Sequence, residues 1–153
     1  MTTPLHPVSP KLVKVRYLVV LPWTLIAILG FLIPALLIDA WFYVGAAIFF
    51  LLFLWQLWLI PAQVKKLGWL ESEQELLLTK GKLWHVFTVV PYGRIQFVDV
   101  KAGPIERAFG LKHVELHTAS STSDAKVRGL PGADADALRT RLAERARERM
   151  NGL

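Results

Sequence analysis

Two long apolar runs dominate the first part of the chain. Tyr17 to Ile38 reads YLVVLPWTLIAILGFLIPALLI, 22 residues without a charge. Ala40 to Ile60 reads AWFYVGAAIFFLLFLWQLWLI, with Gln56 its most polar member. Asp39, between them, is the only charged residue from Tyr17 to Ile60. At a rise of about 1.5 Å per residue the first run covers about 33 Å as a helix, against a hydrocarbon core of about 30 Å. Both runs exceed the roughly 18 apolar residues that mark a spanning helix. The pattern therefore predicts transmembrane helices over about 17–38 and 40–60, inside a hairpin occupying 13–64. A signal peptide fits poorly, because its apolar region is only about 7–15 residues long and no small-residue cleavage site follows. Pro22, Gly30 and Pro34 interrupt the first run and predict a kinked helix, which lipid tolerates when neighbours satisfy the freed carbonyls. Gly30, Gly45, Ala46 and Ala47 are small enough for the helices to approach closely.

From Leu67 the pattern changes to short stretches of strand chemistry separated by turn residues. They are LGWLES (67–72), QELLLTKG (74–81), KLWHVFTVVP (82–91), RIQFVDVKAG (94–103), KHVELHTA (112–119) and AKVRGL (125–130). Strict alternation in RIQFVDV puts Ile95, Phe97 and Asp99 on one face and Gln96, Val98 and Val100 on the other. In KHVELHT, Val114, Leu116 and Thr118 oppose His113, Glu115 and His117. This period of two marks half-buried strands, and their close spacing suggests an antiparallel meander. GPIERAFGL (103–111) breaks the pattern and predicts one short helical turn capped by Gly110. A last helix is expected over about 134–150, with Asp134 and Asp136 in its first turn and Arg145, Arg147 and Arg149 near its end. Its apolar stripe is Ala135, Leu138, Leu142 and Ala146, and Glu144–Arg147 or Arg145–Glu148 pairs suit its outer face. The fold class read from these patterns is a membrane α-hairpin of two helices plus an α+β, largely all-β domain over 67–150. In that domain an antiparallel curved sheet or small barrel is closed by the C-terminal helix. Residues 1–12, which include MTTPLHPVSP with its three prolines, read as an extended, mobile segment.

Charge sets direction. The 153 residues carry a formal charge of +6. Lys11, Lys14 and Arg16 precede the first run, Lys65 and Lys66 follow the second, and the connection holds only Asp39. The positive-inside rule then places both termini in the cytoplasm and the Asp39 turn outside, in a multi-pass protein of the cell (inner) membrane. Asp39 reads as a solvated hairpin tip rather than an intramembrane acid. Cysteine is absent, which removes disulfides and thiolate zinc sites. The arginines of the last helix are diluted by Asp134, Asp136, Glu144 and Glu148, so nucleic acid is not expected, and nearby anionic lipid is the simpler counter-charge.

Catalytic patterns are weak. His113 and His117 have H-x-x-x-H spacing, but on a strand residues four apart lie about 13 Å from each other, too far for one metal. His85 reads as an ordinary strand residue. Ser120 to Ser123 with Asp124 and His117 spell a triad on paper, without a nucleophile turn or oxyanion hole. No P-loop, GxGxxG or zincin motif occurs, so no enzyme, cofactor or metal is expected.

VPYGRIQFVDV (90–100), GPIERAFGL (103–111), ELHTAS (115–120) and RGLPG (128–132) follow the two-helix anchor in that order. With the final helix they resemble the bacterial pleckstrin-homology (PH)-like domain of YdbS-type membrane proteins, over about residues 8–150. The resemblance implies a PH-like fold and a membrane-anchored module without a known reaction. It also implies a larger membrane-protein relative with several such domains as the partner. The module is expected to bind a protein partner or lipid at the inner membrane face, within a multi-protein envelope complex, with a small transporter or channel accessory subunit as the alternative. Fold alone does not carry a ligand across. Candidate contacts are Lys80 and Lys82 around Gly81, together with Tyr92, Arg94 and Arg107 in the resembling segments. For Arg94 and Arg107 a structural role, pairing with Asp99 or Glu106 or with loop carbonyls, is preferred. Tyr92 is read as a corner residue beside Pro91.

Overall fold

The computed structural model describes residues 4–81, 85–119 and 125–152. The chain forms two compact units, Val13–Ala62 and a second made of Met1–Leu12 with Gln63–Leu153.

The first unit is a helical hairpin built from most of α1 (Lys11–Leu37) and α2 (Phe42–Val64). Both helices are long and apolar enough to cross a membrane, and only 6% and 11% of their apolar windows are buried. So much bare apolar surface, with Trp23 and Leu37 each about three-quarters exposed, suits lipid and not water. α1 runs on through Pro22 and Pro34. The Thr24 hydroxyl lies 2.9 Å from the Leu21 carbonyl and 3.4 Å from Gln56 Oε1, so its one hydrogen serves either acceptor. The Tyr17 hydroxyl donates to the Leu57 carbonyl at 2.7 Å. Phe31 stacks on Phe49 with ring centroids 5.4 Å apart. The small residues divide in their roles. A methyl at Gly45 would overlap the Phe31 ring, whereas Gly30 has nothing within 4 Å of such a methyl. Close approach therefore depends on Gly45 and the buried Ala46, not on Gly30.

The second unit contains two antiparallel sheets and the C-terminal helix. One sheet has the order β1-β2-β3-β4, with β1 His6–Pro7, β2 Gly68–Glu71, β3 Glu75–Lys80 and β4 Val86–Pro91. The other has the order β5-β6-β7, with β5 Ile95–Lys101, β6 Leu111–Thr118 and β7 Ala125–Pro131. A single 3-10 turn, Tyr92–Arg94, joins β4 to β5. The expected helical turn is α3, Pro104–Ala108, with Gly110 at φ +68° after it. The last helix, α4, runs over Gly132–Asn151, and its stripe of Ala135, Leu138, Leu142 and Ala146 is buried as the pattern predicted. These side chains meet Leu76 and Val90 of the first sheet and Ile95, Val98, Val114, Leu116 and Val127 of the second.

Two expectations change. The alternation in β5 slips, because a register shift between Ile95 and Phe97 leaves Ile95 and Val98 buried and Phe97 half-exposed. One extra residue in a strand turns every later side chain to the other face. The N-terminal segment, read as extended and mobile, pairs with β2 in the register His6↔Trp69 and Pro7↔Gly68. Ser9 then donates its N–H to the Gly129 carbonyl at 2.8 Å, and Leu12 is buried where Gly129 has no side chain. The helical hairpin is thus an insertion between the first two strands of one sheet.

Candidate functional site

At one end of the four-stranded sheet the start of β2, the end of β3 and the start of β4 converge. The pairings Gly68↔Thr79 and Lys80↔Val86 bring these ends level. Gly68 lets the N-terminal segment close in, since a methyl there would lie 3.1 Å from both Leu5 Cβ and Thr79 Oγ1. Gly81, at φ +98°, ends β3 in a backbone conformation that side chains disfavour. Together these elements enclose a cleft of about 270 Å³. Its cationic lining is Lys65, Lys66 and Lys80, with His85 beside them, and Leu5, Val86 and Phe87 supply apolar wall. Among the described residues no aspartate or glutamate lines it. Lys65, Lys66 and Lys80 stand free of carboxylate partners among the described residues. Phe87 is 68% exposed, so a large apolar ring stands in solvent next to this positive charge.

The residues singled out from the sequence do not form one site. Lys80 lines the cleft, and Lys82 lies outside the described residues. Tyr92 opens the 3-10 turn and is fully buried. Its hydroxyl donates to the Ser72 carbonyl at 2.9 Å and accepts from Arg145 Nη1 at 2.8 Å. The Arg145 guanidinium also lies over the ring, 5.3 Å from its centroid. Burial pushes the Tyr92 phenol above its usual pKa, against the pull of the Arg145 hydrogen bond. Tyr92 thus sits at the corner between β4 and β5 and ties it to Ser72 and α4.

Arg94 and Arg107 are exposed and make no side-chain hydrogen bond or ion pair among the described residues. Their proposed carboxylate partners are used elsewhere. Glu106 accepts from the Gly103 N–H at 2.8 Å and meets His113 Nδ1 at 2.9 Å. Asp99 faces Lys101 at 3.8 Å and His117 Nε2 at 3.7 Å. Among the described residues neither arginine pairs with Asp99 or Glu106.

Two further charged clusters hold the domain together. Arg141 bridges α4 to Glu71 at the end of β2, with Nη2 to Oε1 at 2.7 Å, and Arg145 reaches Glu71, Ser72 and Tyr92 instead of Glu148. The Glu71 hydrogen bond raises the Arg141 pKa. On the outer face of the β5-β6-β7 sheet, Glu115 accepts from Lys101 and Lys126. Those bonds, Lys101 first, hold its carboxyl at about 2 although burial opposes them. His113 and His117 flank this glutamate, each with Nε2 3.7 Å from one of its oxygens. They are thus on one strand face, as read, with a carboxylate between them. Among the described residues no three His, Asp or Glu side chains are arranged to hold a metal. The Ser120 to Asp124 cluster lies outside the described residues.

The sequence reading passed over Lys65, Lys66, His85 and Phe87 as site residues. The two lysines carried a sufficient explanation as topology signals, and His85 and Phe87 looked like plain strand. Pairing β2 with both β1 and β3 is what gathers them, and no local pattern encodes that gathering.

No curated protein and no solved structure matches the chain. The family model of the bacterial PH domain matches residues 15–146. That span takes in nearly all of the helical hairpin, the strands β2 to β7 and most of α4, and the chain belongs to the bacterial PH domain family.

Proposed function

We propose that this protein is a non-catalytic binding module tethered at the inner face of the cell membrane, with both termini cytoplasmic, where it engages a protein partner or lipid. The observation that carries the reading is the pairing of β1 with β2 across the hairpin. Residues on either side of two candidate spanning helices meet in one sheet, and an even number of crossings keeps both on one side of a bilayer. The Lys/Arg flanks then choose the cytoplasmic side. A membrane protein carrying several domains of this family is the partner class the reading expects. The channel alternative has less to draw on: Gln56 faces Thr24, and the Asp39 carboxylate accepts the Trp41 N–H at 3.3 Å in the turn.

The absence of cysteine makes the test direct. Single replacements Asp39→Cys and Arg107→Cys are labelled in intact cells with a membrane-impermeant maleimide. Labelling at 39 and protection at 107 until lysis are expected; the reverse would overturn the orientation. Co-purification in mild detergent tests the binding role, and a lone chain carrying neither protein nor lipid would remove it.

A further inference from the structure

The basic cleft combines three features that independently point to one class of ligand. It concentrates three lysines, with no lining carboxylate among the described residues. It presents Phe87, 68% exposed, beside them. Two of its lysines, Lys65 and Lys66, directly follow Val64, the last residue of α2. If α2 crosses the bilayer, chain continuity alone brings those ammonium groups to headgroup depth, where long lysine stems reach outward. A volume of about 270 Å³ falls just below the roughly 300–1,000 Å³ usual for pockets that enclose drug-sized ligands, and suits a compact group.

We infer that this cleft holds the phosphate of an anionic phospholipid from the membrane's inner leaflet, with Phe87 resting against the interfacial acyl region. The inference rests on the tethered orientation proposed above and adds to it a ligand and a site. Lys65, Lys66 and Lys80 supply the ammonium donors, and their convergence from two different parts of the chain distinguishes a site from a diffuse basic surface. An exposed aromatic ring suits the interface because it is apolar yet tolerates the polar headgroup zone. Each lysine at a charged membrane surface contributes about fivefold in binding.

The experiment uses the full chain in mild nonionic detergent, offered an equimolar mixture of phosphatidylglycerol and phosphatidylcholine, with retained lipid counted by native mass spectrometry. Retention of phosphatidylglycerol over phosphatidylcholine is expected. Lys80→Glu, and separately the pair Lys80→Gln with Phe87→Ser, should each cut that preference about fivefold or more. Both leave the topology-setting Lys65 and Lys66 in place. Arg139→Gln with Arg147→Gln, exposed on α4, should not change it. Equal loss in the α4 pair, or no loss in either cleft variant, would overturn the site. Displacement of the lipid by inorganic phosphate or glycerol phosphate at matching concentration would show a soluble-phosphate site and overturn the lipid assignment. Maleimide labelling of Asp39→Cys in the same variants reports the orientation separately, so a failed tether and a failed cleft give different results.

Discussion

Glu115 is a charge held between two lysines in the sheet-containing unit. Its side chain is 8% exposed, and the hydrogen bonds from Lys101 and Lys126 hold its carboxyl at about 2, below the ordinary value of 4.5. A carboxyl depressed on folding contributes stability that is present above the unfolded value and is lost as pH falls through the folded one. The contribution of Glu115 should therefore be intact at pH 7, fade below about 4.5 and be gone near 2. Lys101, Lys126, His113, His117 and Asp99 face the same region, with Glu106 behind His113. Glu115→Gln should lower stability at pH 7 by about 1 kcal/mol, kept small because both lysines are half in water. Its melting curve should converge with the wild type near pH 2, as read by circular dichroism in detergent. A constant difference across that range would remove Glu115 as the source. Tyr92 makes a different case, since its phenol is buried and joins two partners. Tyr92→Phe should cost about 1–2 kcal/mol, because the Ser72 carbonyl loses a donor and Arg145 an acceptor. Combined with Arg145→Ala the loss should be less than additive, and strict additivity would mean that the two do not act together.

Among the elements, the helices announce themselves and the sheet partners do not. α1, α2 and α4 were legible because their signals are local: uninterrupted apolar length in two, and a 3.6-residue stripe with acids early and arginines late in the third. The six strands from β2 onward were legible through alternation and turn residues. What alternation could not supply was the slip at Gln96, since a register shift is decided by the facing strand and leaves no mark in its own sequence. The prolines around β1 concealed it, and a two-residue strand has too few positions to show a period. The site suffered most, because its residues come from 5–7, 65–68, 79–81 and 85–87, which only strand pairing brings together. Within the hairpin, the four small residues looked alike in sequence but meet different neighbours. Gly45→Ala should destabilise the hairpin, because the new methyl meets the Phe31 ring that stacks on Phe49. Gly30→Ala has open space and should leave stability unchanged or raise it slightly, as alanine is the better helix former by about 1 kcal/mol. Thermal unfolding of both variants in one detergent compares them directly, and equal destabilisation would mean that Gly45 makes no special close contact.

For the whole molecule, the insertion of the hairpin between β1 and β2 means that no cut after α2 yields the complete sheet-containing unit. A fragment beginning at Gln63 lacks β1, Ser9 and Leu12. It leaves the β2 edge with unpaired backbone groups, Trp69 without the His6 ring 4.8 Å away, and open space over Gly129. An exposed strand edge invites pairing with other chains, so that fragment should self-associate and unfold at a lower temperature. Replacing Val13–Ala62 with a flexible Gly/Ser linker of about ten residues would keep both parts of the unit in one soluble chain. Because Pro7 and Gly68 are already register partners, the linker closes a short gap at modest entropic cost. The linked chain should be monomeric and melt cooperatively above the fragment, as measured by light scattering and calorimetry. The comparison also has a functional arm, since Leu5 and Pro7 line the basic cleft together with Lys65 and Lys80. Vesicles containing phosphatidylglycerol should retain the linked chain more strongly than the fragment, although the two differ by few charges. Equal retention would mean that net charge, and not the cleft assembled across the insertion, governs attraction to the membrane.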